Sequence, residues 1–322
     1  MSSLRIIWQC WKKDGGSGIR MGQSPVLVVG SVALDSVITP FGEAREVLGG
    51  SAVYFSIAAS FFTNVRLVGV VGADFPENHI KVLKNRKIDL AGLEIKEGKT
   101  FRWTGRYGHD PNERETLNLE LNVFASFQPK IPREFQRTPL VFLANINPEL
   151  QMSVLGQIKK PEFVAVDTMN IWIEKNREQF IKLLRRVDMV VLNESEARQF
   201  SGEHNLIRAA RKVLGMGPWL VIVKKGEHGA FMVSRDFRFA VPAYPLEKVC
   251  DPTGAGDCFG GGFMGYLGAA GRINEENLKK AVIYGTAMAS FCCEMFSVGR
   301  LQKVTRRRID ERFKAIRNLS HI

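Results

Sequence analysis

Six short runs of almost unbroken apolar residues recur from Pro25 onward, and they leave few architectures open. They occupy residues 26–30, 67–71, 140–144, 163–167, 189–193 and 219–224. Each is rich in β-branched residues and shorter than a typical helix. Runs without polar alternation read as strands covered on both faces. Between them lie helical segments at 51–62, 77–86, 172–186 and 206–214, with three- and four-residue apolar spacing in the last two. In 206–214, Leu206, Ala210, Val213 and Leu214 share one face. Repeated strand–helix alternation implies an α/β fold, doubly wound around a mostly parallel sheet flanked by helices.

One region departs from this alternation. Residues 100–107 and 115–123 read as strands on either side of the turn-rich His109-Asp110-Pro111-Asn112, which makes a β-hairpin. With residues 35–47 it forms a small β-sheet lid, with segments at about 35–48 and 95–125. Inserted hairpins of this kind serve as lids or dimer surfaces, so a homodimer through the lid is a second expectation. Alternation places Arg102, Thr104 and Arg106 on one face of the first strand and Phe101, Trp103 and Tyr107 on the other. An arginine face over the pocket would suit a phosphorylated acceptor, and an aromatic face would suit a nucleoside base. The plain reading, an ordinary half-exposed strand, is preferred at this stage.

Composition narrows the function classes. Of 322 residues, 45% are hydrophobic and 24% charged, which describes a globular chain with a large core. The net charge is +12, but the basic residues are dispersed apart from Arg306-Arg307-Arg308, and no aromatic–basic interleaving marks a nucleic-acid groove. No stretch approaches the ~20 apolar residues of a membrane span. The five cysteines, Cys10, Cys250, Cys258, Cys292 and Cys293, have no metal-ligand spacing and read as reduced thiols in a cytoplasmic protein. Residues 1–22 read as a disordered extension, or as the product of an upstream start with Met21 as the true one, leaving 23–320 as the main domain.

The chemistry concentrates in Asp251-Pro252-Thr253-Gly254-Ala255-Gly256-Asp257, followed by the small, apolar run Cys258-Phe259-Gly260-Gly261-Gly262. Two glycines permit a tight turn whose N–H groups converge, and a buried helix begins near Asp257. Converging amides at a helix start make an anion site. A carboxylate there would repel a phosphate unless it accepts a proton from an attacking hydroxyl. An N-cap aspartate on a buried helix is the competing local reading. A dinucleotide-binding oxidoreductase is disfavoured, because the glycines are spaced G-x-G-x-x-x-G late in the chain. No G-x-x-x-x-G-K-[ST] loop occurs either.

Residues 251–257 resemble the D-T-x-G-A-G-D motif of the ribokinase-like (PfkB-type) carbohydrate kinases, and supporting motifs follow in the family's order from about residue 26 to 304. The resemblance implies a ribokinase-like fold and ATP-dependent phosphorylation of a hydroxyl on a sugar or sugar-like small molecule. ATP and Mg2+ are implied, with K+ where a monovalent cation site is kept. It implies Asp257 as catalytic base, with the amides of Gly254, Ala255 and Gly256 as the anion hole. It places Asp251 and Thr253 beside the cation or nucleotide. Asn193-Glu194-Ser195-Glu196 matches an N-x-x-E motif that organises magnesium and phosphates, although alone it reads as a helix capping box. Lys225, Gly226 and Gly229 fall on the nucleotide side. Asp35, Gly49 and Gly50 fall on the acceptor side. Two positions depart from the pattern: Tyr54 stands where many members have a substrate-binding asparagine, and Gly285 where some have one beside adenine. A nucleoside kinase and a non-catalytic sugar or nucleotide sensor on the same scaffold remain the alternatives.

Overall fold

The computed structural model describes residues 19–319. The chain begins with β1 (Ile19–Arg20), β2 (Val26–Val29), β3 (Ala33–Thr39), β4 (Gly42–Gly49), α1 (Ser51–Ala59), β5 (Val65–Gly72), α2 (Glu77–Asn85) and β6 (Asp89–Lys96). Next come β7 (Phe101–Tyr107), β8 (Arg114–Glu120), β9 (Leu140–Leu143), α3 (Pro148–Gln157), β10 (Phe163–Asp167), α4 (Asn170–Lys175) and α5 (Arg177–Leu184). The last third holds β11 (Met189–Asn193), α6 (Glu194–Ser201), α7 (Leu206–Leu214), β12 (Leu220–Lys224), β13 (Ala230–Ser234) and β14 (Arg238–Val241). It ends with α8 (Ala255–Ala270), β15 (Arg272–Ile273), α9 (Glu275–Cys292), α10 (Gly299–Lys303) and α11 (Arg306–Leu319).

All six apolar runs become strands of one nine-stranded sheet, ordered β14-β13-β12-β11-β10-β9-β2-β5-β6. The pairings from β6 through β12 are parallel, and β13 and β14 add antiparallel strands at one edge. The runs lack polar alternation because each face meets its own core. Val26 and Val28 of β2 pack into one apolar cluster with α1, α8 and α9, while Leu27 and Val29 pack into a second with α3, α5, α6 and α7. From β2 the order runs one way to β5 and β6 and the other way from β9 onward, so a switch point opens between β2 and β9. In open α/β sheets, ligands settle beyond the carboxyl ends of the strands at such a point.

A separate four-stranded sheet, ordered β4-β3-β7-β8, is built from the segments expected to make the lid. The β3–β4 hairpin joins the β7–β8 hairpin through a parallel β3–β7 pairing. The expected second lid strand ends earlier than the sequence suggests. Asn122 takes a left-handed φ of 48°, and residues Asn122–Ser126 coil into a 3₁₀ turn.

Other boundaries also shift. The helix expected over 172–186 is two helices, because Asn176, at φ −127° and ψ 34°, breaks α4 from α5. Strands β6, β13 and β14 were not expected: β6 and β14 lie at the sheet's edges and lack long apolar runs, and β13, between β12 and β14, is a short run after a turn. At the N-terminus, Ile19–Arg20 pair with β15, and the Met21 amide donates to the Gly271 carbonyl at 2.7 Å. The fold thus reaches back beyond the boundary expected at residue 23, and residues 1–18 of the expected extension lie outside the described residues.

The helix starts differ in how they are capped. Asparagines cap α3, α6, α7 and α9, with side chains accepting first-turn amides. Helices α1 and α8 instead begin at Gly50 and Gly254, without any side-chain cap. At α1 the Ser51 and Ala52 amides donate to the Ser31 hydroxyl and carbonyl oxygens, both at 3.0 Å, so the start of α1 is closed within the protein.

Candidate active site

Helix α8 and the turn before it place Asp257. Gly254 takes φ 77°, a left-handed conformation that lets residues 251–257 swing from loop into helix. It also needs to be glycine for space, because a Cβ there would enter the Tyr54 ring. Within the turn the Ala255 amide donates to the Pro252 carbonyl at 3.1 Å. Ala255, one of the three amides expected to form the anion hole, is therefore already engaged. The turn is anchored by Asp251, whose two carboxylate oxygens accept from the amides of Thr253 (2.9 Å) and Ser297 (3.1 Å).

Three other carboxylates and an ammonium share this floor. Lys224, the last residue of β12, extends its Nζ to Asp167 Oδ2 at 3.3 Å. The same Nζ lies 2.7 Å from where a Cβ on Gly256 would stand. Asp167 ends β10, and Asn193 ends β11 opposite Lys224 in register. Asn193 and Glu196 form a capping box: the Glu196 carboxylate accepts the Asn193 amide and the Asn193 side chain accepts the Glu196 amide, both at 2.8 Å. The capped helix starts at the carboxyl end of β11.

Burial pushes the Asp257 carboxyl up to about 7, with Asp167 adding to the rise and Lys224 and Arg114 opposing it. Glu196 is pushed to about 7 by burial and by Asp167, against Lys224. Burial pulls Lys224 down, but Asp167, Glu196 and Asp257 more than reverse this and hold its pKa above the ordinary value.

The acceptor side is built from β3 and the start of α1. Asp35 is buried, and its Oδ2 accepts the Gly50 amide at 3.3 Å. A side chain on Gly49 would overlap that carboxylate. Burial raises Asp35 to about 7 against the Gly50 hydrogen bond, and Asp251 and Asp257 add to the rise.

Strand β7 is half-exposed, as expected, with Gly105 and Tyr107 buried. Asp35 pairs with Trp103 across β3 and β7, so the two side chains share a face. Tyr107 is buried, and its hydroxyl accepts from the Thr253 hydroxyl at 3.4 Å. Arg102 is committed elsewhere, to Glu46 (2.7 Å) and Asp74 (2.8 Å), and Arg106 pairs with Glu115 at 3.3 Å. Arg114, exposed and paired with Tyr107 in register, holds its guanidinium over the Trp103 ring, 5.5 Å from the centroid, and its charge lowers the pKa of Asp35, Glu196 and Asp257.

Beyond the floor lies the segment expected to line a nucleotide. Gly226 and Gly229 take φ 54° and 87°, and the Lys225 amide donates to the Gly229 carbonyl at 2.8 Å. The lid tip touches this segment: Asn112 donates its side-chain amide to Glu227 at 2.8 Å. The two departures from the family pattern have local reasons. Tyr54 is buried beneath Gly254, and its hydroxyl finds no hydrogen-bond partner in the protein. Gly285 is where α9 crosses α8, with the Phe259 carbonyl oxygen 2.8 Å from a Cβ position.

Asp167, Lys224 and Arg114 were missed from sequence. The first two had a signal, since each is a charged residue closing an apolar strand at the carboxyl edge of the sheet. Arg114 had none, because only strand pairing brings it beside Tyr107.

Comparison with known proteins agrees with this geometry. Residues 28–303 match the model of the pfkB family carbohydrate kinases. The cytidine kinase of Thermococcus kodakarensis is 32% identical over 258 residues, covering 78% of this chain and 91% of that protein. The crystal structure of Methanocaldococcus jannaschii nucleoside kinase superposes with a TM-score of 0.72 at 22% identity, covering 92% of this chain and 99% of that one. Burkholderia thailandensis nucleoside kinase, solved with inosine, gives a TM-score of 0.74 at 18% identity over 90% of this chain and 98% of that one. The chain is a member of the pfkB family of carbohydrate kinases, ATP-dependent enzymes that phosphorylate a hydroxyl of a sugar-like small molecule.

Proposed function

We propose that the acceptor is a nucleoside and that Asp257 is the base that activates its hydroxyl. The observation that carries this reading is the shared face of Asp35 and Trp103. A carboxylate accepts hydrogen bonds from ribose hydroxyls, and an indole beside it offers a surface on which a base stacks. The name of the Thermococcus kodakarensis relative, a cytidine kinase matched over 91% of its length, supports the same class.

In this reading the ribose lies between Asp35 and the Gly49–Gly50 backbone, under Trp103 and Tyr107. MgATP, the second substrate, lies along Lys225, Gly226 and Gly229 with its phosphates toward α8. Glu196 keeps one oxygen for the Asn193 amide and turns the other toward a magnesium-bound water, as suits an ion that retains its water shell. Asp257 takes the hydroxyl proton while the acceptor oxygen attacks the γ-phosphorus. The Gly256 amide, in the first turn of α8, and the Gly254 turn face the phosphoryl oxygens. Asp251, with both oxygens on amides, holds the turn in shape, so K+ has no required part in this reading.

The test is ADP release with ATP and magnesium over a panel of nucleosides, free sugars and sugar phosphates. A nucleoside should give the highest kcat/KM, by about a hundredfold or more over free ribose, since base stacking and ordering add to the ribose contacts. A free sugar or sugar phosphate at the top of the panel would overturn the acceptor assignment.

Two further parts of the reading concern setting and assembly. Cys250, Cys258, Cys292 and Cys293 are free thiols, which suits a reducing cytoplasm. Among the described residues, no helix is long and apolar enough to cross a membrane. The lid's outer strand β8 and the residue after it leave Leu117, Leu119 and Leu121 exposed (39%, 50% and 43%), a stripe suited to a second copy of the chain. Sedimentation that finds monomer alone at tens of micromolar, an order-of-magnitude working range, would remove the dimer.

A further inference from the structure

The floor of the cleft is too acidic for the substrate it faces. Asp167, Glu196 and Asp257 lie close enough to shift one another or Lys224, and a γ-phosphate arriving there meets their combined charge. Backbone dipoles at the α8 start offset part of this repulsion, since they carry only partial charge. The cations that Asp257 and Glu196 both feel are Lys224 from the floor and Arg114 from the lid. Arg114 is exposed and travels with the lid. Lys224 is fixed, at the end of a strand buried in the central sheet.

The position of Lys224 is what distinguishes it from an ordinary counter-ion. Its bond to Asp167 is single and long, at 3.3 Å. Asp167 is already served on its other oxygen by the Thr168 amide at 2.9 Å. The ammonium leans instead on Gly256, so closely that a methyl group on that glycine would stand 2.7 Å from Nζ. Gly256 is the residue whose amide faces the phosphoryl group in the proposed mechanism. A compact, strongly charged ammonium with three donors suits a phosphate as a point charge. With one donor on Asp167, the other two are available to a ligand at the helix start.

We propose that Lys224 is a catalytic residue whose ammonium contacts the phosphoryl group as it transfers. The inference rests on the kinase reading above and adds a residue to it. As the acceptor oxygen forms its bond to phosphorus, the bond from phosphorus to the β–γ bridging oxygen breaks and ADP leaves with that oxygen. The hydroxyl proton goes to Asp257. Lys224 keeps its proton throughout and donates an N–H to a non-bridging oxygen, so the charge gathering on the phosphoryl group is met where it forms. Between turnovers the ammonium falls back on Asp167.

Three variants of the full chain test this: Lys224→Met, Lys224→Arg and the double variant Asp167→Asn/Lys224→Met. Turnover is measured together with binding of ADP and of a non-hydrolysable ATP analogue by calorimetry. In Lys224→Met, kcat should fall about 10²–10³-fold while the acceptor KM changes little. ADP affinity should be kept within about twofold while the analogue loses about tenfold, as expected for one lost charge-assisted contact. Lys224→Arg should recover part of kcat. The double variant removes the unpaired carboxylate along with the ammonium. It therefore restores any lost stability, and carries the measurement if Lys224→Met does not fold, but its kcat should stay low. Turnover restored by the double variant, or a loss in Lys224→Met below about fivefold, against the hundredfold or more expected of such a group, would reduce Lys224 to the counter-ion of Asp167. A wild-type chain that turns over no acceptor at all would sink the kinase reading instead. The ADP and analogue affinities would then decide the contact of Lys224 with the γ-phosphate by themselves, and equal losses of both would overturn it.

Discussion

Asp257 is held in tension between two demands. It must be ionised to take a proton, yet burial raises its pKa to about 7. The active fraction therefore falls on the acid side of that value, and kcat/KM should drop tenfold per pH unit below it. Asp257→Asn should lose about 10²–10⁴-fold in turnover while binding ATP as before. The same variant should be more stable at pH 8, where the native carboxylate is charged and buried. A gain on the order of 1 kcal/mol, roughly 2–4 °C in thermal midpoint, is expected for a domain of this class. Near-normal turnover, or a lower midpoint, would contradict the assignment. On the acceptor side, Trp103→Ala should raise the nucleoside KM by roughly tenfold or more, the cost of one lost stacking surface. It should leave the KM for ATP alone. Equal effects on both substrates would place Trp103 in a structural role.

At the scale of elements, the lid connects the two substrate sites. The tip of the β7–β8 hairpin rests on the segment proposed to line the nucleotide, through Asn112 and Glu227, and a side chain on Gly226 would collide with Asn112. A nucleotide that orders residues 226–229 thereby favours the closed lid, and a closed lid excludes water from the phosphoryl group. Removing this contact with Asn112→Ala should raise both KM values by roughly two- to tenfold, the range of one hydrogen bond. ATP hydrolysis without acceptor should rise with them. Initial-rate kinetics with a phosphate-release assay reads both, and a change in one KM alone would show that the lid tip does not couple the sites.

The elements themselves were unevenly legible. The six central strands were readable because covering both faces removes polar alternation, and α7 was readable because Leu206, Ala210, Val213 and Leu214 share an apolar face. Strand β6 was not, since an edge strand needs no apolar run. The orientation of the lid was also hidden. Which face of β7 meets the cleft depends on the β3–β7 register, a contact between residues some 70 positions apart in Ala33↔Phe101 and its neighbours. Motif residues such as Asp257 and Asn193 could be found because their chemistry is local. Lys224 and Asp167 depend on which strand ends lie side by side.

Across the whole molecule, the buried carboxylates set how stability responds to pH. Burial raises Asp35, Glu196 and Asp257 to about 7 and Asp188 to about 6, all above their ordinary values of 3.8 to 4.5. Between those limits the folded chain holds more protons than the unfolded one, so stability falls as pH rises through the window. The ligand-free thermal midpoint should therefore decline from about pH 5 to about pH 7.5 and level off above. MgATP with acceptor should recover part of the loss at the higher pH, because ligands that bind only the folded state stabilise it. A midpoint that climbs across this range in scanning calorimetry would mean that these carboxylates are solvated or compensated.

Helices α1 and α8 touch backbone to backbone, and a side chain on Gly261 would collide with the Phe55 carbonyl oxygen. Both helices start at a glycine, and in the proposed mechanism one start lies beside the acceptor and the other beside the phosphate. The spacing between the two reactants is thus fixed by a weld deep in the scaffold, while the choice of reactant belongs to four strands outside it. Grafting another lid onto this frame would redirect which alcohol is phosphorylated without retuning how phosphorylation occurs.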